Sequence, residues 1–368
     1  MIYTRIPTLV AIVSIALAAS GLAQTKNPEW DKVVEAAKKE GRVVVSIPTS
    51  AELRKEFESG FQKAFPAIEL ELSVARGASN INKIAEEQSA GVRGIDLHIG
   101  GTSSIITGLL AQNHLEPVMP ALLLPEVRDP KHWWGGHIWA DNAKKFIYAF
   151  TAYMTETIWH NSTLVKPEEI SSWDSLLEPK WKGKMVILDP RSPGSGESTW
   201  AFLLRIKGEP YLAKLAAQEM MVGRNLRQLG ENVARGKSAI SIGLSYYTYV
   251  PFIKAGLPVK PISTVKEGYY AASGSGNVVL LKNSPHPNAT KVFVNWLLSK
   301  DGQTALTKAL GQPTRRLDVD TKWTREFGHT AAKEVLTPEK YDELENGSED
   351  VVNKYRKPAM QLAEKLFK

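Results

Sequence analysis

Three tyrosines stand close together in the stretch SAISIGLSYYTYVPFIKAG, residues 238–256. Tyr246, Tyr247 and Tyr249 fall where a short apolar run stops and a helical pattern begins. A phenol combines an apolar ring that packs with a hydroxyl that binds polar partners. The stretch therefore leaves two roles open for these side chains, packing in a core and contact with a ligand.

Four loops rich in glycine and hydroxyl groups offer a second set of candidates. PTSA (48–51), ARGAS (75–79) and GGTSS (100–104) follow predicted strands, and RSPGSGES (191–198) opens the predicted helix TWAFLLRIKG. Ligands of open α/β sheets bind beyond the carboxyl ends of the strands, and free N–H groups at helix N-termini favour anions. Candidate ligand contacts in these loops are Thr49, Ser50, Arg76, Gly77, Ala78, Gly101, Thr102, Ser195 and Gly196.

Signatures of enzymes are missing from the chain. The seven histidines form neither an HExxH motif nor a pair spaced by four residues, and no GxSxG motif occurs. STVK (263–266) matches SxxK, but no KTG accompanies it. Because the chain has no cysteine, disulfides, cysteine-ligated metals and thiol nucleophiles are excluded. We expect a protein that is not an enzyme and holds no cofactor.

Length and composition indicate a soluble protein. The chain of 368 residues is long enough for about two domains. Its apolar content of 43% and charged content of 23% are ordinary for a globular protein. The net charge of +7 is spread along the chain without a basic block, so we expect no nucleic-acid partner.

The N-terminus has the pattern of a signal peptide. After MIYTR, the apolar run IPTLVAIVSIALAAS is too short to span a bilayer comfortably, and GLAQ supplies small residues at Gly21 and Ala23. We predict a signal peptide over residues 1–23, export to the periplasm, and a mature chain that begins at Gln24. A retained N-terminal anchor is the alternative.

Hydrophobic periodicity predicts α/β structure in two domains. Apolar strands such as RVVVSI alternate with helices such as the one marked by Leu53, Phe57, Phe61 and Phe65, which indicates a mainly parallel sheet. The sequence changes character at DPKHWWGGHIWADNAKK, so we predict one domain from residues 24–128 plus 268–320 and another from 129–267 plus 321–368. A helix pair near residue 300 is expected to break at Asp301, which can cap the second helix.

Several ordered segments resemble periplasmic solute-binding proteins of ABC importers, in the branch that includes the ferric-ion-binding proteins. They include EWDKVVEAAKKEGRVVV, SSWDSLLEPKWKGKMVILDPRSPGSG, GENVARGKSAISIGLSYYTY and SGSGNVVLLKNSPHPNATKVFVNWLLSKDGQTAL, and the resemblance covers residues 29–312. It implies type II periplasmic-binding-protein architecture, in which two α/β domains close on a ligand in the cleft between them. It also implies a monomer that partners with a membrane permease and its ATPase. A periplasmic enzyme on a similar scaffold is the alternative.

The resemblance implies one role for the tyrosine pair. Ferric-binding relatives supply phenolate ligands at this point, which would make Tyr246 and Tyr247 metal ligands if Fe³⁺ is the transported ligand, since a hard cation favours anionic oxygen. Both can reach one cleft only if the backbone turns there, because neighbours in a strand point to opposite faces. A third tyrosine such as Tyr153, water or a bound anion would have to complete the coordination. The chain departs from these relatives in having no histidine in PTSAE and Gly100-Gly101-Thr102 where they have glutamate.

The same branch also includes binders of small organic anions such as phosphonates and sugar phosphates. Arg76 could pair with a carboxylate or phosphate through two hydrogen bonds, and Ser195 and Gly196 could present N–H groups to its oxygens. A structural ion pair for Arg76 and plain loop-to-helix geometry for RSPGSG remain open. The sequence therefore predicts a ligand that is either ferric iron or a small organic anion.

Overall fold

The computed structural model describes residues 27–75 and 77–368. The predicted signal peptide, residues 1–23, and the candidate ligand residue Arg76 lie outside these described residues. No helix within the described part of the chain is long and apolar enough to cross a bilayer.

The strands are short and belong to three sheets. In chain order they are Arg42–Ile47 (β1), Glu69–Val74 (β2), Leu97–Gly100 (β3), Leu115–Glu116 (β4), Ile138–Trp139 (β5), Tyr148–Ala149 (β6), Tyr153–Thr155 (β7), Ile158–Asn161 (β8), Met185–Leu188 (β9), Met221–Gly223 (β10), Ile240–Ile242 (β11), Val259–Pro261 (β12), Ala271–Ala272 (β13), Asn277–Leu281 (β14) and His329–Ala331 (β15).

Helices connect the strands and cover the two larger sheets. They are Pro28–Glu40 (α1), Ala51–Ala64 (α2), Gly77–Ser89 (α3), Thr102–Ser104 (α4), Pro125–Arg128 (α5), Ser195–Lys207 (α6), Glu209–Ala216 (α7), Leu226–Ala234 (α8), Tyr246–Lys254 (α9), Pro287–Leu298 (α10), Lys300–Leu310 (α11), Ala332–Val335 (α12), Pro338–Leu344 (α13), Glu349–Val351 (α14) and Lys357–Leu366 (α15). Two π-helical turns, Ile105–Leu110 and Val352–Arg356, continue α4 and α14. Short 3₁₀ turns cover Met119–Ala121, Pro130–His132, Pro167–Glu169, Trp173–Leu177, Pro179–Trp181 and Lys322–Phe327.

The first lobe is built on a sheet of order β2-β1-β3-β14-β6-β5, with β4 also paired to β14. β1 runs parallel to β2 and β3, whereas β14 is antiparallel to β3. The predicted stripe on α2 faces this sheet: Leu53, Phe57 and Phe61 are fully buried, and both phenylalanine rings pack against Phe293 and Trp296 of α10. Strand β1 is buried from Val43 to Ile47, because helices cover both faces of the sheet.

The second lobe is built on a sheet of order β10-β9-β11-β8-β12. β9 runs parallel to β10 and β11, and β8 is antiparallel to β11. One face packs against α6, α7 and α15, and the other against α8 and α9. Both larger sheets are therefore mixed rather than purely parallel, because the chain returns across each of them in the opposite direction.

One segment passes through all three sheets. The strand-like stretch FIYAFTAYMTETIWHN divides into β6 in the first sheet, β7 in the third sheet and β8 in the second sheet. The third sheet, of order β13-β7-β15, lies at the crossing between the lobes. The predicted domain boundary at residue 129 lies before β5 and β6, which still pair in the first sheet, so the chain leaves that sheet only after the predicted boundary. The domain boundaries themselves stay a prediction.

Helix termini follow local hydrogen bonding. Gly41 ends α1 in the left-handed conformation, which glycine adopts without a steric cost, with φ of 77°. At the later helix pair, Ser299 rather than Asp301 is the N-cap of α11, and its side chain accepts a hydrogen bond from the Gly302 N–H at 3.3 Å. The prediction of Asp301 as the cap is wrong, because the break falls two residues earlier and Asp301 lies in the first turn of the helix.

Candidate ligand-binding cleft

A cavity of about 350 Å³ lies where the two lobes face each other. Its walls come from the loops that follow β1 and β3 in the first lobe, and from those that follow β9, β10 and β11 in the second. The third sheet contributes Tyr153 and the turn Ser273–Ser275. This is the position at the carboxyl ends of strands where open α/β sheets bind ligands.

Most of the residues singled out in the sequence come together here. Thr49, Ala78, Gly101, Thr102, Tyr153, Ser195 and Tyr247 line the cavity. Gly77 begins α3, and Arg76 lies outside the described residues. Contact of these residues with a ligand stays a prediction.

Three of the predicted site residues do not line the cavity. The Ser50 hydroxyl caps α2 by accepting a hydrogen bond from the Leu53 N–H at 3.1 Å. Gly196 lies against β9, where a side-chain carbon would overlap the Leu188 carbonyl oxygen. Tyr246 is the third. Ser50 and Gly196 therefore have structural roles in their own helices. The sequence did not reveal these roles, because each residue is next to one that lines the cavity.

The tyrosine pair divides between two environments. Tyr247 lines the cavity and packs against the core of the first lobe. The Tyr246 ring instead packs on Phe327, with centroids 4.5 Å apart, and beside Trp323. The backbone does turn at this point, as required for a shared cleft, but it turns into α9, where successive side chains project about 100° apart. Only one phenol of the pair therefore contributes to the cavity wall.

The third tyrosine of the stretch packs in the core. Tyr249 is fully buried and stacks on Trp159, with ring centroids 4.6 Å apart. Its hydroxyl and the Ser241 hydroxyl form a hydrogen bond of 2.6 Å, and burial raises the pKa of the phenol above its usual range. This environment holds the ring neutral and fixes α9 to β11.

We expect Tyr249→Phe to lower the free energy of unfolding by about 1.5 kcal/mol, because it leaves the buried Ser241 hydroxyl without a partner. Ligand binding should be unchanged, since Tyr249 lies outside the cavity. Chemical denaturation measures the effect. Tyr246→Phe is the matched control and should change stability by less than about 0.5 kcal/mol. Equal losses in the two variants would contradict the role assigned to the Ser241 bond.

Two more phenols line the cavity beside Tyr247. Tyr153 on β7 was predicted, whereas Tyr270, which precedes β13, was not. Burial raises the pKa of both phenols above the ordinary value near 10. Without a bound cation these hydroxyls are therefore neutral hydrogen-bonding groups. The adjacent tyrosines Tyr269 and Tyr270 could have drawn attention to this position in the sequence. They were not selected because they do not follow a predicted strand.

The charged groups of the cavity wall are all cationic. Arg224, Arg227 and Arg356 line the cavity, and no carboxylate or imidazole of the described residues does. Arg224 is paired with Asp189 at 2.7 Å, and Arg356 with Glu197 at 2.7 Å. Arg227 has no ion-pair partner within the described residues. It leaves an uncompensated positive charge at the cleft.

Three helices of the second lobe begin next to this wall: Ser195 and Leu226, the first residues of α6 and α8, line it, and so does Ser245, which precedes α9. The cap of α6, Gly194, has no side chain, and the Ser245 side chain makes no hydrogen bond to the first turn of α9. First-turn N–H groups carry a partial positive charge that favours anionic oxygen. Among the described residues, no group of three or more histidine, aspartate or glutamate side chains could hold a metal ion.

Comparison with known proteins identifies the fold. Residues 152–309 match the family model of bacterial extracellular solute-binding proteins. The resemblance to solute-binding proteins is confirmed. Iron-bound HitA from Pseudomonas aeruginosa superposes with a TM-score of 0.63 at 18% identity, over 88% of this chain and 99% of that one. The periplasmic binding protein AfuA from Actinobacillus pleuropneumoniae, with fructose-6-phosphate bound, gives 0.63 at 20% identity, over 87% and 97%. The predicted two-domain α/β architecture of periplasmic binding proteins is therefore confirmed.

Curated relatives match over part of their length. Iron uptake protein A2 of Synechocystis sp. is 28% identical over 173 residues, which are 42% of this chain and 49% of that protein. The chain spans less than half the length of the curated relatives that it matches. The fold shared with periplasmic binding proteins explains why a cleft lies between the lobes. The ligand has to be inferred from the residues that line this cleft.

Proposed function

We propose that the protein is the periplasmic substrate-binding component of an ABC importer and that it captures a small organic anion by closure of its lobes. The observation that carries this proposal is the charge of the cavity wall. Three arginines line it, and no carboxylate or imidazole of the described residues does; one of the three, Arg227, has no ion-pair partner in the part of the chain that the structure describes. An anion in this cavity gains charge-assisted hydrogen bonds and meets no like charge on the wall.

The hydroxyl and amide groups of the cleft fit the same ligand class. Thr49, Thr102 and Ser195 hydroxyls and the first turns of α6, α8 and α9 surround the cavity. Phosphate and carboxylate oxygens accept such hydrogen bonds at several points at once. Exclusion of water on closure strengthens these contacts, because the local dielectric falls.

Ferric iron is the second candidate, and the three phenols favour it. Tyr153, Tyr247 and Tyr270 line one cavity, and Fe³⁺ would stabilise their phenolates. The name of iron uptake protein A2 and the iron bound to HitA agree with this reading. Three phenolates leave an octahedral shell incomplete, so a synergistic anion on the helix N-termini would have to complete it.

Contacts across the cleft support capture by closure. The Ser103 hydroxyl of the first lobe donates to Glu197 of the second at 2.8 Å, and Lys254 pairs with Glu52 across the lobes at 3.0 Å. These contacts break when the lobes separate and form when they meet. We propose that a membrane permease and its ATPase recognise the closed monomer, and that the predicted signal peptide directs its export. No bond in the ligand is made or broken.

Thermal shift and absorbance of the purified mature protein test the proposal. The probes are inorganic phosphate, methylphosphonate, fructose 6-phosphate and citrate, and ferric salt with carbonate or citrate. We expect stabilisation by one of the four metal-free anions, of about 2.7 kcal/mol at a hundredfold excess over the dissociation constant. We expect no visible charge-transfer band with iron. A band that Tyr247→Phe abolishes and Tyr249→Phe retains would establish the ferric candidate instead. If the protein responds to none of these probes, both the organic-anion proposal and the ferric candidate are overturned.

A further inference from the structure

The C-terminal segment, residues 345–356, contacts both lobes at the edge of the cavity. Val352 packs in the core of the first lobe, and the Glu349 N–H donates to the Ala140 carbonyl at 2.7 Å. The chain then crosses to the second lobe, where Ala359 and Leu362 of α15 are buried. The crossing is made by the π-helical turn Val352–Arg356. π-helical turns occur frequently at functional sites.

Three residues of this segment line the cavity: Asn346, Gly347 and Arg356. The Asn346 amide donates to the Ser198 carbonyl of α6 at 2.8 Å. A side-chain carbon at Gly347 would lie 2.9 Å from the Thr102 hydroxyl of the first lobe, so the segment approaches that site residue closely. The segment therefore forms a wall of the cavity between the ends of the two lobes.

Arg356 is the charged residue of this wall. Its side chain is almost fully buried, with 5% of the residue exposed. One Nη donates to Glu197 at 2.7 Å and the other to the Asn346 carbonyl at 3.1 Å, while Nε has no partner in the described part of the chain. Both Nη groups of the guanidinium are therefore hydrogen-bonded to the protein, whereas the Nε–H has no acceptor among the described residues.

Glu197 is the group that Arg356 faces. The carboxylate is fully buried in the first turn of α6 and accepts hydrogen bonds from the Ser103 hydroxyl and the Gly194 N–H. Ser103 and Gly194 both line the cavity. Glu197 thus lies directly behind the cavity wall. Its negative charge would repel an anionic ligand across the low-dielectric protein interior, unless a buried cation compensates it.

We infer that Arg356 is a specificity-determining residue, which compensates the charge of Glu197 and thereby allows the cleft to accept an anion. The C-terminal segment is then part of the ligand site and not an appendage to the second lobe. This inference rests on the proposed function, since it concerns the same cavity and the same class of ligand. It makes anion affinity depend on the balance of two charges, and a purely structural ion pair would not have that property.

A double-mutant cycle tests the inference, with the four metal-free anions named above as probes in isothermal titration calorimetry. We expect Arg356→Gln to weaken anion binding by at least about tenfold, because Glu197 is left uncompensated. Glu197→Gln keeps an oxygen that can accept from Ser103 and should bind the anion about threefold more tightly. The double variant, which has neither charge, should return to within about threefold of the unmodified protein.

Each result decides between the charge role and a structural one. If Arg356 only holds α15 in place, the double variant will bind as weakly as Arg356→Gln, and the inference is overturned. Unchanged affinity in Arg356→Gln overturns it as well. Should Arg356→Gln fail to fold, Glu197→Gln alone decides: tighter binding supports the inference, and equal or weaker binding contradicts it. If the unmodified protein binds none of the anions, the proposed function fails and the inference fails with it.

Discussion

Replacement of Arg227 with glutamine is expected to weaken binding of the anion by about tenfold or more, because a hydrogen bond to a charged group contributes about 1.5–3 kcal/mol. Arg227 stands in the first turn of α8, at the cavity wall, and no acidic side chain of the described residues pairs with it. Its charge is therefore available to a ligand. Titration calorimetry at low and high salt measures both the loss and the weakening of the effect by screening.

Arg235→Gln is the matched control for this variant. Arg235 follows the other end of the same helix, pairs with Glu231 at 2.7 Å and lies outside the cavity lining. Both substitutions remove one positive charge, so they alter the net charge of the protein equally. Equal losses of affinity would mean that Arg227 acts only through the overall field of the protein. No loss in Arg227→Gln would remove the main support for an anion.

Local patterns in the sequence predicted the elements well. Four-residue spacing of apolar residues identified α2, and the mainly apolar stretch RVVVSI identified a strand covered on both faces. The turn of the backbone at Tyr246 was also expected. These features depend on residues close together in the chain, where helical and strand periodicity are set by the backbone itself.

Features that depend on distant residues could not be predicted in this way. The phenol of Tyr247 reaches the cavity and that of Tyr246 does not, because Phe327 and Trp323, about eighty residues later, pack on the Tyr246 ring. The site roles proposed for Arg227 and Arg356 follow only from their positions in the cavity wall. The sequence alone gave no reason to select them, because an arginine in a helix is usually a solvated surface residue.

Gly196→Ala is expected to have the largest effect on stability, about 3 kcal/mol, at the upper end of the range for overpacking. The added carbon would overlap the carbonyl oxygen of Leu188 at the end of β9, and a backbone atom cannot rotate away as a side chain does. The start of α6 would have to move from the sheet, and it would displace Ser195, whose hydroxyl donates to the Gly243 carbonyl at 2.6 Å. Chemical denaturation and anion titration should both show the loss.

Gly94→Ala separates this packing effect from the general consequence of adding a methyl group to a glycine. A side-chain carbon at Gly94 would meet only Glu87, at 3.8 Å, and its backbone needs no left-handed conformation. It should leave the unfolding midpoint and anion affinity within error of the unmodified protein. If Gly196→Ala were equally harmless, α6 could retreat from β9 at no cost. The close fit between helix and strand would then not be what holds Ser195 at the cavity wall.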